Sequence, residues 1–336
     1  MKTISSLAEL FSFLNYTPDN KFHYALSKCE ICEGSSFTVV RSHQDGGNNT
    51  LLPASVTSCN DCGFLMQNPR FSDSFYDHYY RWLYPSQRAK SDRNNEVAYV
   101  DESGESTDAG FHNQYRRAQS LHRYITDVLR HTFRSGANML DVGCGSGGFL
   151  SYFRESGFNC LGNDPDQSAV SYAKGKGIDI DCIPAEQQQY PSSFFDFVFI
   201  LGSLEHCKDP NEVLKRCAIS MRKGSLILLE GRTYPLSHST KYLNFNHHRF
   251  FRQSHMKAIL VKHGFEPILS TDDQICGGDS GRSGMGYTFG LKRHDHANHS
   301  DAFARKSYLS NIRRLGYVES PATLIEMLNI HDSNLI

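Results

Sequence analysis

The stretch Met139-Leu140-Asp141-Val142-Gly143-Cys144-Gly145-Ser146-Gly147-Gly148 constrains this chain most, because an apolar strand runs straight into a glycine-rich turn that opens a helix. Glycines let the backbone turn tightly and approach a ligand closely. The helix that follows begins with N–H groups lacking an intrahelical partner, which favour a negatively charged group such as a carboxylate. This is the geometry of a pocket for a nucleoside cofactor. Roughly 20 residues further on, Leu161-Gly162-Asn163-Asp164-Pro165 reads as a second strand ending in an acid, the position from which a carboxylate accepts both ribose hydroxyls, so Asp164 is the candidate ribose ligand. A third segment, Phe195-Asp196-Phe197-Val198-Phe199-Ile200-Leu201-Gly202-Ser203-Leu204-Glu205-His206, is a buried strand running into Leu-Glu-His, with Asp209-Pro210 and a helix after it.

Together these segments resemble class I S-adenosylmethionine (SAM)-dependent methyltransferases, whose pattern has a D-x-G-x-G-x-G loop, an acid after strand two and an L-E-H-x-x-D-P stretch after strand four. The likeness runs from about residue 138 to 293, and the G-x-G-x-x-G spacing of dinucleotide-binding dehydrogenases is absent. The resemblance implies that Asp141 helps hold the methionine moiety and that Gly143, Cys144, Gly145 and Gly147 form the cofactor loop. It also implies that Asp164, Pro165, Ala185, Glu186, Leu201 and Gly202 complete the SAM site. Ile183-Pro184-Ala185-Glu186 stands where the family has G-D-A-E; the usual acid aligns with Pro184, so the adenine amine meets Glu186 or a backbone carbonyl instead. Cys144 reads as a small side chain within the loop, not a nucleophile.

At 336 residues the chain exceeds what one hydrophobic core usually supports, so two lobes are expected. A net charge of −1 argues against a general affinity for nucleic acid, which needs basic surface to neutralise phosphates. Apolar runs are of single-strand length, and Glu9 interrupts any signal-peptide core, so neither a membrane span nor export is expected and the location expected is the cytoplasm.

Cys29-Glu30-Ile31-Cys32 and Cys59-Asn60-Asp61-Cys62 form C-x2-C-x26-C-x2-C, two knuckles that can set four thiolates tetrahedrally around zinc. With Cys29, Cys32, Cys59 and Cys62 as ligands the metal has no open position, so the role expected is structural. Gly63 suits the turn of positive φ that follows the second pair, and Val39-Val40 and Thr57 place short strands between the knuckles. After Cys59-x-x-Cys62-Gly63 come Asn68-Pro69-Arg70 and the aromatic run Phe75-Tyr76-Asp77-His78-Tyr79-Tyr80-Arg81-Trp82-Leu83-Tyr84. This resembles bacterial methyltransferases with an N-terminal zinc-binding domain, a group that commonly methylates sugars in polysaccharide or antibiotic pathways. Most of the rings read as packing between lobes, with one or two tyrosines bordering the acceptor pocket.

The organisation expected is therefore a lead-in helix and four-cysteine zinc lobe over residues 1–85, a polar linker or lid over 86–113, a methyltransferase domain over 114–294 and a C-terminal helical appendage over 295–336. The fold class is α/β, a Rossmann-like sheet with helices at 114–130, 148–155, 167–174, 211–221 and 253–263. Strands at 159–162, 178–183, 225–230, 265–270 and 286–292 join the two already described to complete the seven-stranded sheet that the resemblance implies, the last two antiparallel.

On the acceptor side, methyl transfer to a hydroxyl requires alignment and a base. His206 lies at the carboxyl end of strand four, where open α/β sheets bind ligands, and reads foremost as a positioning group. His247, in Asn244-Phe245-Asn246-His247-His248-Arg249-Phe250-Phe251, matches the second histidine of the Y-H-E-H run of the sugar C-methyltransferases; Asn244 and Asn246 replace the tyrosine and glutamate. That departure favours O-methylation, for which one histidine base is sufficient. His248, Arg249, Glu230 and Arg232 are further acceptor candidates, Arg249 for a phosphate. The reading is a SAM-dependent methyltransferase acting on a small molecule, a sugar or nucleotide-sugar, with zinc as a structural metal. The alternatives are an RNA or protein methyltransferase that uses the zinc lobe for recognition, and a SAM-binding regulator without activity.

Overall fold

The computed structural model describes residues 7–14, 23–42, 55–83, 109–129, 133–232, 247–272, 275 and 285–293. The expected C-terminal appendage and residues 86–108 of the expected linker lie outside these. No helix among the described residues is long and apolar enough to cross a membrane.

The larger part is a six-stranded sheet of β6 (Asn138–Val142), β7 (Asn159–Asn163), β8 (Phe195–Leu201), β9 (Met221–Arg232), β11 (Phe265–Thr271) and β12 (Met285–Lys292), in the order β11-β12-β9-β8-β6-β7. Strands β7, β6, β8 and β9 run parallel, whereas β12 runs against both β9 and β11. Helices α3 (Ala109–Asp127), α4 (Gly148–Glu155), α5 (Gln167–Gly175), α6 (Pro210–Ser220) and α7 (Gln253–Lys262) accompany the sheet. A parallel sheet covered on both faces needs strands that are apolar on both sides, and Phe-Asp-Phe-Val-Phe-Ile-Leu of β8 supplies one. Asp209 caps α6 by accepting from the N–H groups of Asn211 and Glu212, ahead of Pro210 in the first turn.

The seventh strand expected over 178–183 is not formed. Asp181 alone bridges to Asn163, beside the edge strand β7. Ile178 and Ile180 turn into the core, the Ile183 N–H folds back to the Asp181 carbonyl at 3.0 Å, and Pro184 has no N–H to continue a ladder. Helix α3 starts at Ala109, earlier than the apolar periodicity indicated, so residues 109–113 are helix and not linker.

Ahead of this sheet lie α1 (Leu7–Phe13), β1 (His23–Tyr24), β2 (Phe37–Ser42), β3 (Ser55–Cys59), β4 (Leu65–Gln67), β5 (Arg70–Phe71) and α2 (Asp73–His78), which a π-helical turn (Tyr79–Leu83) prolongs. Strands β2, β3 and β4 form an antiparallel sheet whose fourth strand, β10 (Arg249–Phe250), comes from far along the chain. The cysteine lobe is thus not a separate bead. Ile31, Phe64 and Met66 share one buried cluster with Val198, Leu229 and Ile259, and the Phe64 and Phe251 rings lie 5.3 Å apart. Leu10 of α1 closes a smaller cluster with Phe71, Phe75, Tyr76, Tyr79 and Leu83.

Candidate active site

At the carboxyl edge of the parallel strands lies a cavity of about 770 Å³, within the range of roughly 300–1,000 Å³ typical of small-ligand sites. Every residue expected to contact the cofactor lines it except Gly147: Asp141, Gly143, Cys144, Gly145, Asp164, Pro165, Ala185, Glu186, Leu201 and Gly202. Gly147 instead takes φ +81° at the start of α4, a left-handed backbone that calls for glycine, and a Cβ there would sit tightly against Ile180, Ala173 and Ile178.

The loop is held by its neighbours. The N–H groups of Gly143 and Cys144 donate to the Asn163 carbonyl at 2.9 and 3.0 Å, and a Cβ on Gly143 would strike Ser203 at 2.5 Å. The Asp164 carboxylate accepts from the N–H of Gly145 at 2.8 Å and of Asp166 at 2.9 Å, which aims it across the mouth of the loop. Sequence reasoning missed Gln114. Its side-chain oxygen accepts from the Gly148 N–H and the Ser146 hydroxyl, both at 3.0 Å, so α3 itself satisfies part of the open end of α4.

Asp141 is 3 % exposed, and burial pushes its carboxyl up to about 7. The Arg117 guanidinium opposes that shift, while Asp164 and Glu230 add to it. Arg117, also missed in the sequence, projects from α3 to the cavity and pairs with Glu230 at 2.5 Å. Glu230 is not among the lining residues, so the sequence expectation that it contacts the acceptor is corrected to a partner of Arg117. The only sequence signal for either missed residue was a polar position on the inward face of an amphipathic helix.

The other side of the cavity gathers His206, His247, Glu205 and, from the π-helical turn, Tyr80. The imidazoles of His206 and His247 lie 4.6 Å apart between ring centres, and the Tyr80 hydroxyl stands 3.3 Å from His206 Nδ1. Donor atoms of Glu205, His206 and His247 all fall within 4.8 Å of one another, a group able to share a proton or hold a cation. At the rim, Lys208 and Asp77 pair at 2.7 Å. Two other candidates move away from the pocket. His248 is 1 % exposed with its ring against Tyr76, and burial, reinforced by Arg249 and Arg70, holds it well below the ordinary histidine range. Arg249 is also 1 % exposed and spends its donors inside the protein, so it is not a phosphate ligand. The side chain of Arg232 lies outside the described residues.

The second site is the cysteine cluster. All four side chains are buried, with Cys29 Sγ 3.6 Å from Cys62 Sγ and Cys32 Sγ 3.5 Å from Cys59 Sγ. Zinc–sulfur bonds of about 2.3 Å put tetrahedral sulfurs about 3.8 Å apart, so the cluster fits a zinc ion with little movement. Both knuckles turn alike: Glu33 and Gly63, each following the second cysteine, have φ of 61° and 70°.

Residues 112–270 match the family model of a methyltransferase domain, and the α/β architecture there is the Rossmann-like fold of such methyltransferases. A ubiquinone biosynthesis O-methyltransferase of Bradyrhizobium sp. (strain ORS 278) is 36 % identical over 121 residues, covering 34 % of this chain and 47 % of that protein. The protein of the same description from Idiomarina loihiensis is 36 % identical over 100 residues, 27 % of this chain and 41 % of its own length. This chain thus spans less than half the length of each. Among solved structures, the plantazolicin methyltransferase BpumL in complex with SAH superposes with a TM-score of 0.48 at 14 % identity, over 65 % of this chain and 94 % of that one.

Proposed function

We propose that this protein is a SAM-dependent methyltransferase that methylates a hydroxyl of a small molecule. The observation that carries the reading is one cavity with two chemically distinct halves, the loop with Asp141 and Asp164 on one side and the His206–His247 pair on the other. When bound, SAM supplies an electrophilic methyl group for in-line displacement. On this reading Asp164 accepts the ribose hydroxyls, Asp141 receives the methionine moiety, Gly143, Cys144 and Gly145 let the backbone approach, and Pro165, Ala185, Glu186, Leu201 and Gly202 wall the nucleoside. His247 takes the acceptor's hydroxyl proton, and His206, held by Tyr80, orients the acceptor. The O-methyltransferase descriptions of the sequence relatives support oxygen as the atom methylated.

Zinc at Cys29, Cys32, Cys59 and Cys62 is a structural part of the same proposal, supported by the spacing of the four sulfurs. Two acceptor classes have support of different kinds. The Cys-x-x-Cys-Gly segment with Asn68-Pro69-Arg70 resembles sugar-pathway enzymes, whereas the relatives matched over the domain are named for ubiquinone biosynthesis. Incubating the purified protein with methyl-labelled SAM and fractions of host metabolites decides between them. Label in nucleotide-sugars or glycans supports the first class and label in phenolic small molecules the second. Label released only by nuclease or protease defeats the small-molecule reading, and tight SAM binding without transfer to any fraction defeats the enzyme.

A further inference from the structure

Glu30 sits between the two cysteines of the first knuckle, yet its side chain belongs to the other end of the molecule. Its carboxylate accepts from Arg70 Nη1 and Nη2 at 2.9 and 2.7 Å, and from Arg249 Nε and Nη2 at 2.8 and 2.5 Å. Burial opposes its charge, but Arg249 and Arg70 outweigh that and hold the carboxyl far below its ordinary range. Arg249 then donates through Nη1 to the carbonyl of Cys207 and through Nη2 to that of Lys208 at 2.7 Å.

Those contacts reach both histidines of the acceptor half. Cys207 directly follows His206, and Arg249 stands two residues after His247. Between them the His248 N–H donates to the Glu205 carbonyl at 3.1 Å, and the Gln67 N–H of β4 donates to the His248 carbonyl at 2.9 Å. None of Glu30, Arg70 and Arg249 lines the cavity. A guanidinium is a rigid planar fork, so a carboxylate that fixes one edge of it fixes the plane of the donors on the other. The carboxylate of Glu30 is in turn placed by the cysteines on either side of it.

We infer that Glu30 and Arg249 are positioning residues for the His206–His247 pair, and that through them the four-cysteine centre sets the acceptor-side geometry from outside the cavity. Simple cohesion between the lobe and the domain would be met by the shared apolar core. The ion group adds direction, because Arg249 places two of its donors on the peptide carbonyls that follow His206. The kinetic part of the inference rests on the transferase reading above; the placement of the imidazoles does not.

The test uses the full chain with Arg249→Lys, which keeps the charge beside Glu30 but whose single ammonium cannot span both carboxylate oxygens and both carbonyls. The readouts are zinc content, SAM affinity, side-chain nitrogen NMR titration of His206 and His247, and kcat against KM with any acceptor found. The variant is expected to retain zinc and SAM affinity, to titrate both histidines at displaced pH, and to lose about ten- to hundredfold in kcat with a shifted pH profile, as for a sub-ångström to ångström misplacement of reacting groups. Wild-type titration and kcat in this variant would overturn the inference. Should Arg249→Lys fail to fold, Glu30→Asp keeps both charges and withdraws the carboxylate by one methylene; displaced titrations support the inference and unchanged ones overturn it. A wild-type protein that transfers no methyl group refutes the transferase reading, while the imidazole titrations still decide the positioning role.

Discussion

The two halves of the cavity are assembled in opposite ways. The cofactor half takes Asp141 from within β6, Asp164 from just past β7 and Leu201 from the end of β8, and parallel strands deliver such residues to one edge by construction. The acceptor half joins Tyr80 of the cysteine lobe to His206, 126 positions later, and to His247 on the segment leading into β10. The first half depends on the six-stranded sheet, all of whose strands come from residues 138–292. The second depends on how the lobe is seated against that domain. Damage to the lobe should therefore reach acceptor chemistry before it reaches cofactor binding, and substitutions can be ranked by how sharply they separate the two.

The largest effect is expected from Cys59→Ser. Metal analysis of the wild-type chain should return about one zinc per molecule. The variant should lose metal and soluble yield together, since binding of roughly 10–16 kcal/mol in small zinc domains is folding free energy and the lobe shares its core with the domain. Normal yield and full activity without metal would refute the structural role. Next comes His247→Ala, predicted to lower kcat by about a hundred- to ten-thousandfold, the range for removing a general base, while calorimetry finds SAM affinity unchanged. Equal losses in both would mean that His247 belongs to the cofactor half. Third is Asp164→Ala, which should weaken SAM about ten- to hundredfold through loss of charge-assisted hydrogen bonds and leave kcat at saturating SAM nearly intact.

The same contrast explains which parts were legible in the sequence. The half of the cavity proposed for the cofactor is written in contiguous motifs, so the grouping of Asp141, Gly143, Gly145 and Asp164 at one cavity was legible from spacing, and the grouping of the cysteine pairs likewise. Long-range partners left no such mark. Nothing around Glu30 signals that it meets Arg249 across 219 positions, and Arg249 beside two histidines reads naturally as a ligand contact when it is in fact committed to the interior. Gln114 and Arg117 were hidden as polar residues on an otherwise ordinary helix. The absent seventh strand was a local misreading: alternating Ile-Asp-Ile-Asp over residues 178–181 has the right period, but the turn at Ile183 and Pro184 stops the ladder after one bridge.

The smallest effect is the most specific to the cofactor half and concerns pH. Burial raises Asp141 to about 7 in the protein without ligand, so near neutrality a large share of the molecules carry it protonated. If the carboxylate receives the ammonium of the methionine moiety, only the ionised form binds, and binding must expel the proton. SAM affinity then falls as the pH drops below about 7, by about tenfold per unit for one linked proton. Calorimetry at pH 8, 7 and 6 reads this directly, as weakening affinity and as a proton release whose heat varies with the buffer. Asp141→Asn should give weaker binding without the acid-side slope. A slope that persists in Asp141→Asn would assign the proton to another group. A flat wild-type profile would place the ammonium elsewhere, and the cofactor half would then be anchored at its ribose end by Asp164 alone.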